Sequence, residues 1–333
     1  MTTAVPPDES SFTVPPFGRE TAVPSLGPGA AVLAFDLGGT DSKTALVDET
    51  GRLLDVVRTP TPQDKSADAG AIFSELERLA KGIRQRHPEV PIKAVGLMVP
   101  GYVDDVAGTG VYSENLGWRA VPFRDRLSTL LDLPVAFGHD VRAAGLAEFR
   151  LGAAQPFSDV VVMTIGTGIA AAIFLRGELY AGGGLAGENG HSIVADGPEC
   201  ACGGRGCLEA VASAGAIARR YNAATGSSLP GAREVLERIR HGDLDASKVW
   251  ESALDALALD LSHTVALLAP EAIVIGGGLA GAGDALFEPL RERLDALLTF
   301  QRRPQLIPAT IGENAGVVGS ALAARDLLEA AAS

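Results

Sequence analysis

Aromatic residues are scarce, only 5% of the sequence, so any core has to be assembled from Ala, Val, Leu and Ile. There is no surplus of basic charge. The 41 Asp and Glu against 28 Lys and Arg leave a net charge of -13, which disfavours a nucleic-acid backbone as partner. Long hydrophobic runs are also missing. The most apolar stretch, Val160 to Leu175, is broken by Thr164, Gly166, Thr167 and Gly168, and is too short and too polar to span a bilayer. No secretory signal is visible at the N-terminus. These absences lead to the expectation of a soluble, cytoplasmic protein with neither a membrane nor a nucleic-acid partner.

Cysteine is absent except in one stretch, Gly184 to Glu209, which holds all three as Cys200-Ala-Cys202 and Cys207. An odd number leaves one thiol over in any disulfide scheme, and nothing points to an oxidising compartment. His191 stands just upstream. His191, Cys200, Cys202 and Cys207 make a complete tetrahedral donor set for structural zinc. The metal would fold a loop rich in Gly and too poor in apolar side chains to fold itself. Glu188 and Glu209 are interleaved with these ligands, and carboxylates so placed suit a hydroxyl-rich ligand.

At 333 residues the chain is longer than one core usually covers, so two domains are expected. Residues 1–29, rich in Pro, Ser, Thr and Gly, carry no apolar period and are expected to be a disordered tail. Ala31 to Asp48 then reads as strand, turn, strand, with Asp36 at the first strand's end and Gly38, Gly39 and Thr40 in the turn. Such a turn exposes backbone N–H groups that suit phosphate oxygens, and Asp36 could hold Mg²⁺ through water; a plain hairpin is the other reading. It is no Walker A loop, because no Gly-Lys-Ser/Thr follows. The pattern recurs from Asp159 to Tyr180 around Gly166, Thr167 and Gly168, which points to a duplicated α/β domain with two phosphate hairpins on a shared cleft. Helical spacing covers Ala71 to His87, Ala246 to Leu268, Leu286 to Leu298 and Ala315 to Ala331. Asp140 follows the strand Val135 to Gly138 and opens a helix; its position alone favours an N-cap over a general base.

Gly276 to Gly281 fits the dinucleotide pattern, but so do two other stretches, and no acidic residue ends a strand about 20 residues on. Gly276, Gly277 and Gly278 suit close backbone packing against an adenosine instead.

Taken together, these residues resemble the ROK family of sugar kinases, open reading frames and repressors, and the bacterial glucokinases in particular. The resemblance runs from about Val32 to the C-terminus. Its most specific part is G-E-x-G-H at Gly187 to His191 followed by C-x-C-G-x-x-G-C-x-E at Cys200 to Glu209. D-x-G-G-T at Asp36 to Thr40, Asn115-Leu116 with Trp118, G-T-G at Gly166 to Gly168, G-G-G at Gly276 to Gly278 and A-G-x-x-G at Ala315 to Gly319 match as well.

The resemblance implies the actin-like ATPase (ribonuclease H-like) fold, with two α/β domains around a cleft. The smaller would span 30–135 and be completed by helix 315–331; the larger would span 136–314 and carry the zinc loop. It implies transfer of the γ-phosphate of ATP to a primary, O6-type hydroxyl of a hexose, glucose first, with Asp140 as catalytic base. By the same resemblance Asp36, Gly38, Gly39, Thr40, Gly166, Thr167, Gly168, Gly277 and Gly278 hold the nucleotide and Mg²⁺, while Asn115, His139, Asp140, Glu188, His191 and Glu209 hold the sugar. Family habit adds a homodimer. Two departures stand out: His139-Asp140 replaces the usual Asn-Asp, and Ile169 to Ala172 replaces a more Gly-rich run. The first leaves another hexose, an amino sugar or a C7-cyclitol as alternative substrates; a non-catalytic sugar binder or regulator is the remaining alternative. The family's regulators carry a helix-turn-helix ahead of the first phosphate strand, where this chain is Pro-rich and poorly basic.

Overall fold

The computed structural model describes residues 24–63 and 66–332. Val32 to Leu37 is apolar on both faces except at Asp36, which suits a strand covered from both sides. It forms β1 (Val32–Leu37), which continues through the glycine turn into β2 (Asp41–Val47) and β3 (Leu53–Pro60). Helix α1 (Gly70–Arg86) buries Ile72, Leu76, Leu79 and Ile83, the residues its 3.6-residue period singles out. After β4 (Ala94–Val99) come three short strands, β5 (Tyr102–Asp104), β6 (Thr109–Tyr112) and β7 (Arg119–Val121), then α2 (Phe123–Leu131), β8 (Val135–His139) and α3 (Asp140–Leu151).

The second half is built the same way. β9 (Val160–Ile165), β10 (Ile169–Leu175) and β11 (Glu178–Leu179) are followed by the cysteine loop. Then come α4 (Leu208–Ala212), α5 (Ala214–Thr225), α6 (Ala232–Arg240), α7 (Leu244–Leu268), β12 (Ala272–Gly276), α8 (Asp284–Leu297), β13 (Gln305–Pro308) and α9 (Ala315–Ala332). The two large sheets have strand orders β3-β2-β1-β4-β8 and β11-β10-β9-β12-β13. In each, the first three strands are antiparallel and the last two join in parallel, so one sheet maps onto the other strand for strand. This duplicated α/β arrangement is the actin-like ATPase fold.

Each sheet has a core on both faces. Outside the first lie α1, α2 and the small β5-β6-β7 sheet, with a cluster of four aromatic rings: Phe73, Phe123 and Phe137 stack, and Trp118 meets Phe123 edge-on. Outside the second lie α4 to α8. Between the sheets, α9 covers the first and α3 the second, and the two helices share a core of Ala147, Val318 and Leu322. Gly319 lets them touch, since a Cβ there would fall 1.8 Å from the Ala143 carbonyl oxygen. The buried Glu148 carboxylate on α3 accepts from the amides of Ala153, Thr310 and Ile311 at 2.9, 3.1 and 2.7 Å, which ties α3 to the segment leading into α9. No described helix is long and apolar enough to cross a membrane.

Two expected boundaries shift. The tail assigned to 1–29 is ordered at its end: Leu26 and Gly29 donate to Gly51 and Glu49 carbonyls, and buried Arg325 donates to the carbonyls of Gly27, Ala30 and Asp48. Composition hid this because the tie is made by distant partners; residues 1–23 lie outside the described residues. The division at 135/136 would cut β8 away from its own sheet. β8 pairs with β4 over Val95 to Val99, so the first sheet extends to His139 and the chain crosses over in α3.

Candidate active site between the two sheets

β1, β4 and β8 run parallel, as do β9, β12 and β13, so each set presents its C-terminal ends on one side. In open α/β sheets that edge is where ligands bind. Asp36 lies near the end of β1 and Asp140 just past the end of β8, while the Gly166 to Gly168 turn follows β9 and Gly276 to Gly278 follows β12. A cavity between the sheets is lined by Asp36, Asp140, Glu148, Thr164, Gly276, Gly277 and Gly316, among others.

Asp36 is the electrostatically strained member. Its desolvation by burial, helped by the nearby Asp140 carboxylate and opposed by Lys43, pushes its pKa up to about 7. Gly316, in the first turn of α9, closes one side of it: a Cβ there would fall 2.2 Å from a carboxylate oxygen. Lys43, across the hairpin from Asp36, is itself held by Glu313, through the carbonyl and through a carboxylate oxygen at 3.3 Å.

The N-cap of α3 is His139, which displaces the expectation that Asp140 fills that role. The His139 Nδ1 accepts from the Val141 amide at 3.2 Å, and Asp140, already inside the helix, accepts from the same amide through Oδ1 at 2.8 Å. Among the described residues the other Asp140 oxygen has no donor. The His139 tautomer that fits this bond carries its proton on Nε2, which lies 3.9 Å from Glu188 Oε1. His139 thus stands between Asp140 and Glu188, buried to 8% side-chain exposure.

Glu188 and His191 are placed by close backbone contact. A Cβ at Gly187 would fall 1.8 Å from the Ala171 carbonyl oxygen and one at Gly190 2.0 Å from that of Ile169, so only glycine lets this segment lie against β10. The Ala171 amide donates to the Gly187 carbonyl at 2.8 Å. Asn189 is held from the core, donating at 2.8 Å to the buried Asp260 of α7. The donor atoms of His191, Cys200, Cys202 and Cys207 all lie within 4.8 Å of one another. His191 turns Nδ1 to Cys200 Sγ at 3.7 Å, and Cys202 and Cys207 approach to 3.6 Å. Burial pushes the Cys207 thiol up to about 12, so deprotonating it needs a compensating positive charge. That donor set fits a zinc ion, which these four residues would hold.

Asn115 sits at the tip of a loop pinned by the buried Leu116 and Trp118, and a Cβ on Gly39 would lie 4.0 Å from its Nδ2, so it flanks the first glycine turn. Glu209 lies in α4 against the second turn. Sequence reasoning missed two polar anchors, Asp260 beneath Asn189 and Arg142. The Arg142 guanidinium joins Asp105 Oδ1 at 2.7 Å to the Gly184 carbonyl at 3.2 Å. Neither stands in a motif; an uncompensated charge on an otherwise apolar helix face is the only signal that could have found them.

The fold and cleft define a class, the actin-like α/β proteins with a cavity between duplicated sheets. Within it, a family model described as "ROK family" matches residues 32–326, and the chain belongs to the ROK family. It is 32% identical to a glucokinase of Thermotoga maritima over 312 residues, 88% of this chain and 97% of that one. An N-acetylmannosamine kinase of Escherichia fergusonii is 31% identical over 300 residues, 88% of this chain and 98% of that one. A ROK glucokinase of Streptomyces griseus, solved with glucose and AMPPNP, superposes with a TM-score of 0.76 at 30% identity, covering 89% of this chain and 100% of that one.

Proposed function

We propose that this protein is an ATP-dependent sugar kinase that phosphorylates the primary hydroxyl of a hexose, glucose first. The observation that carries the reading is the placement of Asp140. It opens α3 at the strand-end edge beside Asp36, with one carboxylate oxygen anchored to the Val141 amide and the other free of protein donors among the described residues. In this reading the free oxygen takes the proton of the sugar hydroxyl as the hydroxyl oxygen attacks the γ-phosphorus and the bond to the β-phosphate breaks, releasing ADP. The glycine turns at Gly38 to Thr40 and Gly166 to Gly168 offer amides to the phosphates, and Gly277 and Gly278 receive the adenosine. Asp36 would hold Mg²⁺, which when bound neutralises phosphate charge. Asn115, His139, Glu188, His191 and Glu209 hold the sugar hydroxyls, and zinc on the four loop ligands fixes Glu188 and His191 in place.

The glucokinase and N-acetylmannosamine kinase relatives support the class and differ in sugar. The test is a panel of hexoses, amino sugars and cyclitols with ATP and Mg²⁺, with products located by phosphorus-coupled NMR. We expect a 6-phosphate from at least one hexose and the highest kcat/KM on glucose. No phosphorylated product from any member would overturn the reading in favour of a sugar binder.

A further inference from the structure

Both ends of the Gly166 to Gly168 turn are gripped by the segment that leaves the cysteine loop. At one end the Ala214 amide, opening α5, donates to the Gly166 carbonyl at 3.0 Å. At the other, Glu209 Oε2 accepts from the Ile169 amide at 2.9 Å. The carboxylate lies so close that a Cβ on Gly168 would fall 2.5 Å from Oε2. Inside the turn the Gly166 amide donates to the Gly168 carbonyl at 2.9 Å, so a grip on either end fixes the whole turn. Oε1 of Glu209 has no protein donor among the described residues. Glu209 is in turn fixed through α4, whose N-cap is Cys207 and whose Leu208 amide donates to the Ser192 carbonyl, next to His191.

We infer that Glu209 is a positioning residue for the phosphate donor: its Oε2 clamps the second phosphate turn while Oε1 remains for the sugar. One carboxylate then couples the two halves of the reaction. A sugar hydroxyl on Oε1 restricts the carboxylate that orders the turn, so each substrate binds more tightly in the presence of the other. This rests on the kinase reading and adds a role that a sugar contact alone does not carry.

The test is direct binding of ATP and of glucose, each with and without the other, by calorimetry on the full chain with and without Glu209 substitutions. Glu209→Ala removes the acceptor and is expected to raise the Kd for ATP about tenfold even with no sugar present, the scale of one charge-assisted hydrogen bond. Glu209→Gln keeps an amide oxygen for the Ile169 N–H and is expected to restore ATP affinity to within about threefold, while glucose affinity stays reduced in both variants. Wild-type synergy between the ligands is expected to vanish in Glu209→Ala. If that variant does not fold, Glu209→Asp, too short to reach the turn, takes its place with the same expectation. Unchanged ATP affinity in the acceptor-less variant, or a Gln variant as weak as it, overturns the inference and leaves the kinase reading standing. A wild-type chain that binds no nucleotide overturns both.

Discussion

At the scale of single residues, the site turns on two carboxylates with different surroundings. Asp36 is forced by burial to keep its proton up to about pH 7, whereas the unfolded chain releases it near 3.8. Its contribution to stability is therefore full below about 3.8 and is lost as pH rises through about 7. The reverse holds for its proposed work, because a divalent cation needs the carboxylate ionised. We expect kcat/KM for MgATP to fall below about pH 7, and the acid limb to move to lower pH as Mg²⁺ is raised, since the two cations compete. A limb that does not move with Mg²⁺ would take Asp36 out of metal binding. Part of this scale was legible in the sequence: Asp36, Glu188 and the cysteines stand in motifs whose glycines mark close approach, whereas Asp140 was singled out only through the family resemblance, its position alone favouring an N-cap. What lies beneath them was not. Asp260 holding Asn189 and Glu209 reaching the Ile169 amide depend on neighbours far apart in the chain, and His139 caps α3 locally where the aspartate beside it is the commoner cap.

Among the elements, the cysteine loop has the least intrinsic reason to fold. Between β11 and α4 it has few buried apolar side chains, and it is held by isolated bridges such as Ile193 with Cys207 and by its four clustered donors. Metal analysis is expected to find about one zinc per chain, as a four-ligand site implies. Chelation is expected to lower Tm and, through α4, to weaken sugar binding before the rest unfolds. Retained sugar affinity and unchanged Tm after complete zinc removal would show that the loop stands without metal. The small β5-β6-β7 sheet shows where pattern reading fails: its strands are three or four residues long, with a register shift at Tyr102/Val103, too short for an alternating window. The long helices and central strands, with sustained periods, were readable to within a few residues.

For the molecule as a whole, the repeated strand–turn–strand pattern foretold two like halves, and the sheets match in order and direction. The resemblance placed helix 315–331 with the smaller domain, but its contact with α3 was not readable, because it runs through the close approach of Gly319 to Ala143 and through Glu148 on the Thr310 and Ile311 amides ahead of α9, none of which has a periodic signature. That joint sets the strand ends of the two halves on one cavity and brings Asp140 to it. The most direct check is the turnover of Asp140→Asn beside its sugar affinity measured by calorimetry. The expected result is a fall in kcat of about 10²–10⁴-fold, the usual share of a positioned base, with sugar Kd nearly unchanged. Turnover close to wild type in that variant would contradict the mechanism.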